Sequence, residues 1–547
     1  MISIYRPRMR PKDRQPSVGD KRGTQQVVEY PAPTDGWNTA VAQSGRPGKT
    51  AVVLDNLIPE TDGIRPRAGC REMFALESED ELFEALIAFT LKNQTFAATS
   101  TSLYLFDDTG LASSGSDNPT PAFSGQTSSD YSAVEMQTDG GKFLTLVNGN
   151  DEAVLYDGTN WTRLTDDETQ AHHVSGVDTK SWSYGWVFQN RQYFIEAGGL
   201  NAWYLNVNAV SGVATKLPLS GVFSKSSELL FGASFSTDSG AGIDDYNVFV
   251  TKEGEVAIFA GTSPADASNW SLQGLFQIGR PLGKNAHFAV AGDLIIGTVD
   301  GLVPLSAVLQ KDVSELRLFS LSAAIEPDLD LEIELAAPFE KGRWRMTKSD
   351  FHDIGMLVPP RRDQSERDLF VVNLQNKAWC KFTGWEVVDM IVTNDHIFFT
   401  DGTRVYEGLV TGKDNGKLIP HHMTTAFDNF GLEGRRKGIH RAKAALLTTT
   451  EINLKLSLAT NYTVPLPKFP SATDSLDYSS AKWDEARWDQ DTWPDYARPK
   501  RGQVVETSGY KLCDSVAFQL TFASDSTEAL DCKITTLSLA FTPGGVF

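Results

Sequence analysis

Residues able to do chemistry are scattered along this chain rather than grouped. His172-His173 and His421-His422 are adjacent pairs. Neighbours on a strand point to opposite faces, so neither pair makes a bidentate metal site. Asp328, Asp330, Glu332 and Glu334 alternate with apolar residues in PDLDLEIEL. They lack the fixed spacing of a calcium loop, and a solvated acidic face explains them more simply. Cys70, Cys380, Cys513 and Cys532 form no CxxC, and no histidine stands at zinc-ligand spacing from any of them. GxSxG, HExxH and P-loop signatures are absent. No catalytic, cofactor-binding or metal-binding residue is assigned, and a non-enzymatic role is expected. Paired carboxylates meeting in space at the centre of a β architecture remain the one enzymatic alternative, a glycan-active hydrolase or lyase.

Two clusters suit contacts better than catalysis. The loop SAKWDEARWDQDTWPDYARP spaces Trp483, Trp488 and Trp493 five residues apart, and Arg435-Arg436-Lys437 forms a basic triplet. Tryptophan and arginine are common anchors of protein interfaces, so these six residues are the candidate interface set. The alternative is that the tryptophans fold back to plug the sandwich.

The elements that must carry these residues are strands. The chain has 547 residues, 41% apolar and 22% charged, with 45 glycines and a formal net charge of -20. That length allows two to four domains, and the composition is that of a globular protein rich in strands and tight turns. The acidic balance argues against sequence-specific nucleic-acid binding, although an acidic lumen would let a polyanion slide past. No apolar run reaches bilayer length and no leader is visible, so cytoplasmic assembly without membrane insertion is expected.

Four stretches differ in character. Residues 1–23 carry seven basic side chains against Asp13 and Asp20 and read as a flexible arm. Residues 24–79 are turn-rich, with short apolar runs and a hairpin signal at Asp62-Gly63 before an edge-like Ile64-Arg65-Pro66; this segment is expected to dock on its neighbours. From 80 to 419, strand-like runs ending in an aromatic recur, and Tyr104, Tyr156 and Tyr204 lie about fifty residues apart. Such recurrence predicts a β-propeller of about seven blades, six to eight fitting the span, because stacked blades bury faces that one blade alone would expose. A pair of β-sandwiches is the alternative. The stretch 312–344 breaks the rhythm and admits either a strand or a helix with Leu329, Ile333 and Ala336 on one side. Residues 420–547 alternate strongly and predict a β-sandwich-like domain holding the Trp/Asp-rich loop 479–500. Drawn as a hairpin, 514–523 and 533–541 leave Cys513 far from Cys532, so reduced cysteines are expected. The fold class is therefore all-β.

Between these signals lie segments with a familiar wording: DGWNTAVAQ with VLDNLIPETDGIRPRAGC, then GTSPADASNWSLQGLFQIGRPLG with DGLVPLS, then NLQNKAWCKFTGWEVVDMIVTNDHIFFTDGTRVYEG, and finally RRKGIHRAKAALLTTT before the tryptophan loop. In collinear order they resemble the tail-nozzle (tube-end) proteins of short-tailed bacteriophages. The resemblance implies a structural virion protein of the tail, assembled in the host cytoplasm as a homo-oligomeric ring, a hexamer. It further implies docking on a portal-adaptor protein above and a tail fibre, spike or plug below, with genomic DNA passing through the lumen. A propeller binding module is the remaining alternative. SPADASNW lacks the residue order of a sialidase Asp-box and reads as a turn.

Overall fold

The computed structural model describes residues 25–76, 81–107, 110–111, 120–238, 243–266, 268–310, 313–337, 343–360, 368–449, 451–471 and 501–546. The basic arm 1–23 and the loop carrying Trp483, Trp488 and Trp493 lie outside them.

Seven antiparallel sheets follow one another along the chain and close into a ring, a β-propeller. Among the described residues six of them run four strands deep, the first with a short fifth strand, Gly110–Leu111, beside its third and the sixth continuing into a larger sheet. Their first strands are Ala85–Phe89, Ser132–Thr138, Trp182–Phe188, Leu229–Asp238, Arg345–Ser349 and Asp389–Thr393. The remaining sheet, fifth in the ring, has three strands, His287–Val290, Asp293–Thr298 and Gly301–Pro304. Each sheet packs on the next, and the seventh returns to the first. Separate apolar clusters fill the spaces between blades: one joins the first and second, another the second and third, a third the third to fifth. A sheet covered on both faces needs continuous apolar strands, and Ile354–Val358 and Leu369–Asn373 are buried at every position.

The repeating aromatic runs are third strands of blades. Tyr104 lies in Ser102–Asp107, Tyr156 in Val154–Tyr156 and Tyr204 in Asn201–Tyr204. The Asp300-Gly301 signal marks a two-residue hairpin in which Thr298 pairs with Gly301, whose φ of 104° favours glycine.

The three-stranded blade lacks a fourth strand, and the chain covers its open edge differently. Residues 320–322 lie along Gly301–Pro304: the Leu321 amide donates to the Leu302 carbonyl (2.8 Å), and the Leu302 amide donates to Ser322 Oγ (3.0 Å). The helix Glu326–Ala336 follows, with Pro327 in its first turn and Leu329, Ile333 and Ala336 buried. The ambiguous acidic stretch is thus helical, its apolar side turned to the protein.

The propeller begins earlier than residue 80. Its seventh blade takes its outermost strand, Gly69–Ala75, from the N-terminal side, paired with Arg404–Thr411. The turn-rich segment therefore supplies strands instead of merely docking. Ala51–Asp55 bridges the sixth blade to Ile419–Thr425, so that blade continues into an eight-stranded sheet running on through Val516–Ser524 to Lys455–Thr460. A second sheet, built on Arg435–Thr448, Arg501–Cys513 and Cys532–Val546, faces it; Gln26–Pro31 adds to Cys532–Val546. Ile439, Ala442 and Leu446 from one sheet share a core with Leu456, Phe518 and Leu520 from the other.

Two further expectations are corrected. Val516–Ser524 and Cys532–Val546 are not a hairpin; they lie in opposite sheets. Val516–Ser524 is buried at all nine positions and needs a strand on either side, which Ile419–Thr425 and Lys455–Thr460 provide. Ile64–Pro66 is not an edge, since it lies between Leu57–Pro59 and Cys532–Val546. Cys513 pairs opposite Lys437 and Cys532 opposite Thr448, at the two ends of one long strand; all four cysteines are buried and none forms a disulfide.

Candidate functional site at the mouth of the ring

Charged side chains gather where the first strands of several blades begin. Asp389 opens the seventh blade and Arg345 the sixth. The Arg345 guanidinium holds the Asp389 carboxylate through Nε and Nη2, the latter at 2.5 Å. The same carboxylate accepts the backbone amides of Leu86 in the first blade (2.7 Å) and Met390 in the seventh (2.9 Å). One buried carboxylate thereby joins three blades across the ring closure. Burial pushes the Arg345 pKa down, but the charge and hydrogen bonds of Asp389 outweigh it, and the net shift is upward.

Beside this pair, Glu84 is held by Arg343 at 3.2 Å and accepts the Ser129 hydroxyl. Lys284 Nζ reaches the Asp130 carboxylate (2.9 Å) and donates to the carbonyls of Asp130 (2.9 Å) and Ser183 (3.1 Å), linking the segments before the second and fifth blades to the first strand of the third. Its pKa is lowered by burial, against the pull of Asp130. A cavity of about 300 Å³ opens here, lined by Asp130, Ser183, Lys252, Arg280 and Lys284. Lys252 meets Glu228 at 3.3 Å.

His287 lies beneath these charges. Its ring stacks on Phe231 at 4.4 Å, and Nε2 is 2.9 Å from the Tyr184 hydroxyl. Burial lowers its pKa to about 4. His421 lies at the propeller–sandwich junction, with Nδ1 2.8 Å from the Asn56 carbonyl and its ring stacked on Phe522; burial lowers its pKa to about 3. Both are neutral in the folded protein at pH 7. As pH falls below about 6.5 the unfolded chain takes up these protons and the folded chain does not, so stability declines from there toward pH 4. Each histidine contributes on the order of 3 kcal/mol to that decline. Urea midpoints measured across that window should fall with acid, and His287→Gln should flatten the slope. An unchanged slope in that variant would remove His287 from the account.

The other sequence candidates are dispersed. Lys437 is fully buried, and its ammonium donates to the carbonyls of Leu432 (3.1 Å), Arg435 (3.2 Å) and Asp514 (2.6 Å). It is an internal brace, so it is not an interface anchor; burial lowers its pKa. Arg435 is half-buried and Arg436 exposed at the start of the same strand. His422 turns the opposite way from His421, to Asp55 at 3.6 Å. His172 sits against Ser211 and Phe143. Of SPADASNW, Trp270 opens the fourth strand of the fourth blade, and in the connection before it Asp266 accepts the Ser268 amide at 2.9 Å.

Sequence reading missed Asp389, Arg345, Lys284 and Asp130, which are far apart in the chain and carry no motif. At the mouth, Asp389, Asp130 and Glu84 are each paired with a cation, an arrangement that suits bracing better than proton transfer. Among the described residues no group of three or more histidine, cysteine or carboxylate side chains could hold a metal ion. The open part of the arrangement is a cavity whose charged side chains stand beside Leu229, Leu230 and Leu282, of a size that takes a small ligand or a side chain.

No protein-family model matches this chain, and no curated protein does. Among solved structures, the chain is similar to RRP9 WD40 repeats at 10% identity, covering 63% of this chain and 99% of that one with a TM-score of 0.36. PorZ, a surface component of the type-IX secretion system of Porphyromonas gingivalis, aligns at 12% identity, 61% and 37% coverage and a TM-score of 0.34. The extracellular domain of the putative hybrid two-component system BT3049 from B. thetaiotaomicron gives 10%, 65% and 41%, with a TM-score of 0.37. The chain thus spans well under half the length of the last two. Its own closed ring of sheets makes it a β-propeller, welded to a two-sheet C-terminal unit.

Proposed function

We propose that this protein is a structural subunit of a virion, the nozzle of a short phage tail. Copies assemble into a ring, a hexamer, that docks on a portal-adaptor protein and carries a fibre, spike or plug, while genomic DNA passes through the shared lumen. The carrying observation is mechanical: propeller and C-terminal unit share one eight-stranded sheet, so the two halves form a single stiff body. The collinear resemblance along the sequence points the same way, and the net charge of -20 suits a passage that DNA crosses without sticking. Light scattering and negative-stain images of the chain, alone and with its adaptor, test the reading. Closed rings are expected at least on the adaptor. A particle that stays monomeric with the adaptor present sinks it.

The mouth cavity favours a second reading, a propeller that binds a ligand along its axis. Here the chain remains monomeric, and Lys284→Ala abolishes ligand capture while the unfolding midpoint shows whether the fold survives.

A further inference from the structure

The outer strands of propeller blades are edges that invite pairing with another chain unless something blunts them. In six blades the blunting is visible. Phe123–Ser124 is two residues long, Trp161–Arg163 is short and ends in a charge, and Thr215–Pro218 carries Lys216 and Pro218. Gly301–Pro304 is covered by residues 320–322, Trp379–Phe382 by Ala51–Asp55, and Gly69–Ala75 bears Arg71 and Glu72.

The fourth blade is the exception. Its outer strand Trp270–Gln277 is eight residues long, WSLQGLFQ, with no charge and no proline. A bulge opposite Ile258 and Phe259 pairs Leu272 with Phe259 and Leu275 with Ala257, which sets both leucines on one face. They are 45% and 41% exposed.

We infer that this edge receives an added strand, and that its occupant is the uncharged start of the N-terminal arm, residues 2–5 (ISIY), of a second copy of the chain. The inference rests on the ring reading above and supplies its contact. Ile2 and Ile4 alternate as a strand requires, so both reach the side of Leu272 and Leu275 while the backbones pair. Charge fits as well. The arm 1–23 carries seven basic side chains against two acidic, a net of five positive; residues 229–277 carry six acidic against Lys252 alone, a net of five negative. The basic remainder of the arm would lie over that acidic blade. Reach is sufficient: residues 6–25 span up to roughly 65 Å at about 3.3 Å each, close to the width of a globule of this length. An arm from each copy entering the next copy's edge is a head-to-tail contact, the kind that closes into a ring.

The test mixes two full-length chains, Ile4→Cys and Leu275→Cys, under mild oxidation. The native cysteines are all buried, so new bridges report the new positions. A disulfide-linked pair on a non-reducing gel is expected, far above the level from either chain alone, and at least tenfold weaker when Leu272→Lys is added to the second chain. Leu272→Cys replaces Leu275→Cys if that chain proves insoluble. No pair above the single-chain background overturns the inference, and so does a bridge that closes only within one chain carrying both substitutions. Light scattering of the same samples separates the two levels. Rings without the bridge overturn the strand addition and leave the ring standing; the bridge without closed rings supports the strand addition and counts against the ring.

Discussion

Arg67→Ala is expected to lose about 3–5 kcal/mol of stability, out of the roughly 5–15 kcal/mol that a folded domain has to lose. The Arg67 side chain is fully buried and all of its nitrogens are engaged. Its guanidinium forks onto the Asp414 carboxylate at 2.9 and 2.6 Å, and Nε donates to Asn56 Oδ1 at 2.7 Å. The carbonyls of Thr383 and Ala68 take the remaining protons, at 2.8 and 3.0 Å. The Trp385 ring lies 4.7 Å beneath the guanidinium and donates its own N–H to Asp414 at 2.8 Å. Truncation leaves a carboxylate, an amide and two carbonyls without their partner where water does not enter, which is why the loss exceeds that of a surface pair. Arg67→Lys keeps the charge but not the fork, so it should rescue only in part. Urea unfolding followed by tryptophan emission reads both variants. A midpoint unmoved by Arg67→Ala would show that the junction is not held this way.

Asp389→Asn should cost about 3 kcal/mol or more, and the damage should be local to the ring closure. The substitution leaves Arg345 without its counterion and weakens the acceptor for the Leu86 and Met390 amides. Hydrogen exchange should therefore accelerate in the first, sixth and seventh blades and stay unchanged in the second and third. Replacing the pair together, Asp389→Leu with Arg345→Met, should recover much of the loss, because no unpaired charge is then buried. Uniform acceleration across all blades would instead mean that the ring opens as one unit.

Much of the propeller was legible because its signal is local. In the first three blades the third strand carries an aromatic close to a turn, Tyr104, Tyr156 and Tyr204. The helix Glu326–Ala336 was not decidable, since alternating acids fit a strand while Leu329, Ile333 and Ala336 fit a helix; packing against the fifth blade's neighbourhood settled it. Lys437 looked like part of a surface triplet because burial of one lysine among two arginines leaves no mark in the sequence. The mouth was invisible for a related reason. Asp389 and Leu86 are separated by 303 residues, and Lys284 and Asp130 by 154, so nothing in either neighbourhood announces the other.

The origin of the seventh blade's outer strand has a consequence in time. Arg71 meets Glu407 across 336 residues of chain. At roughly 5–20 residues per second of synthesis, Gly69–Ala75 waits about 20–70 seconds on the ribosome before its partner strand exists. Throughout that interval its backbone is an unsatisfied template; Ala51–Asp55 waits longer for Ile419–Thr425, and Gln26–Pro31 longer still for Cys532–Val546. Strands within residues 26–75, made before any blade, are thus among the last to fold. A nascent chain of this protein is most exposed to misassembly just before its blades can close, and a chaperone that shields residues 26–75 would act where the fold is slowest to protect itself.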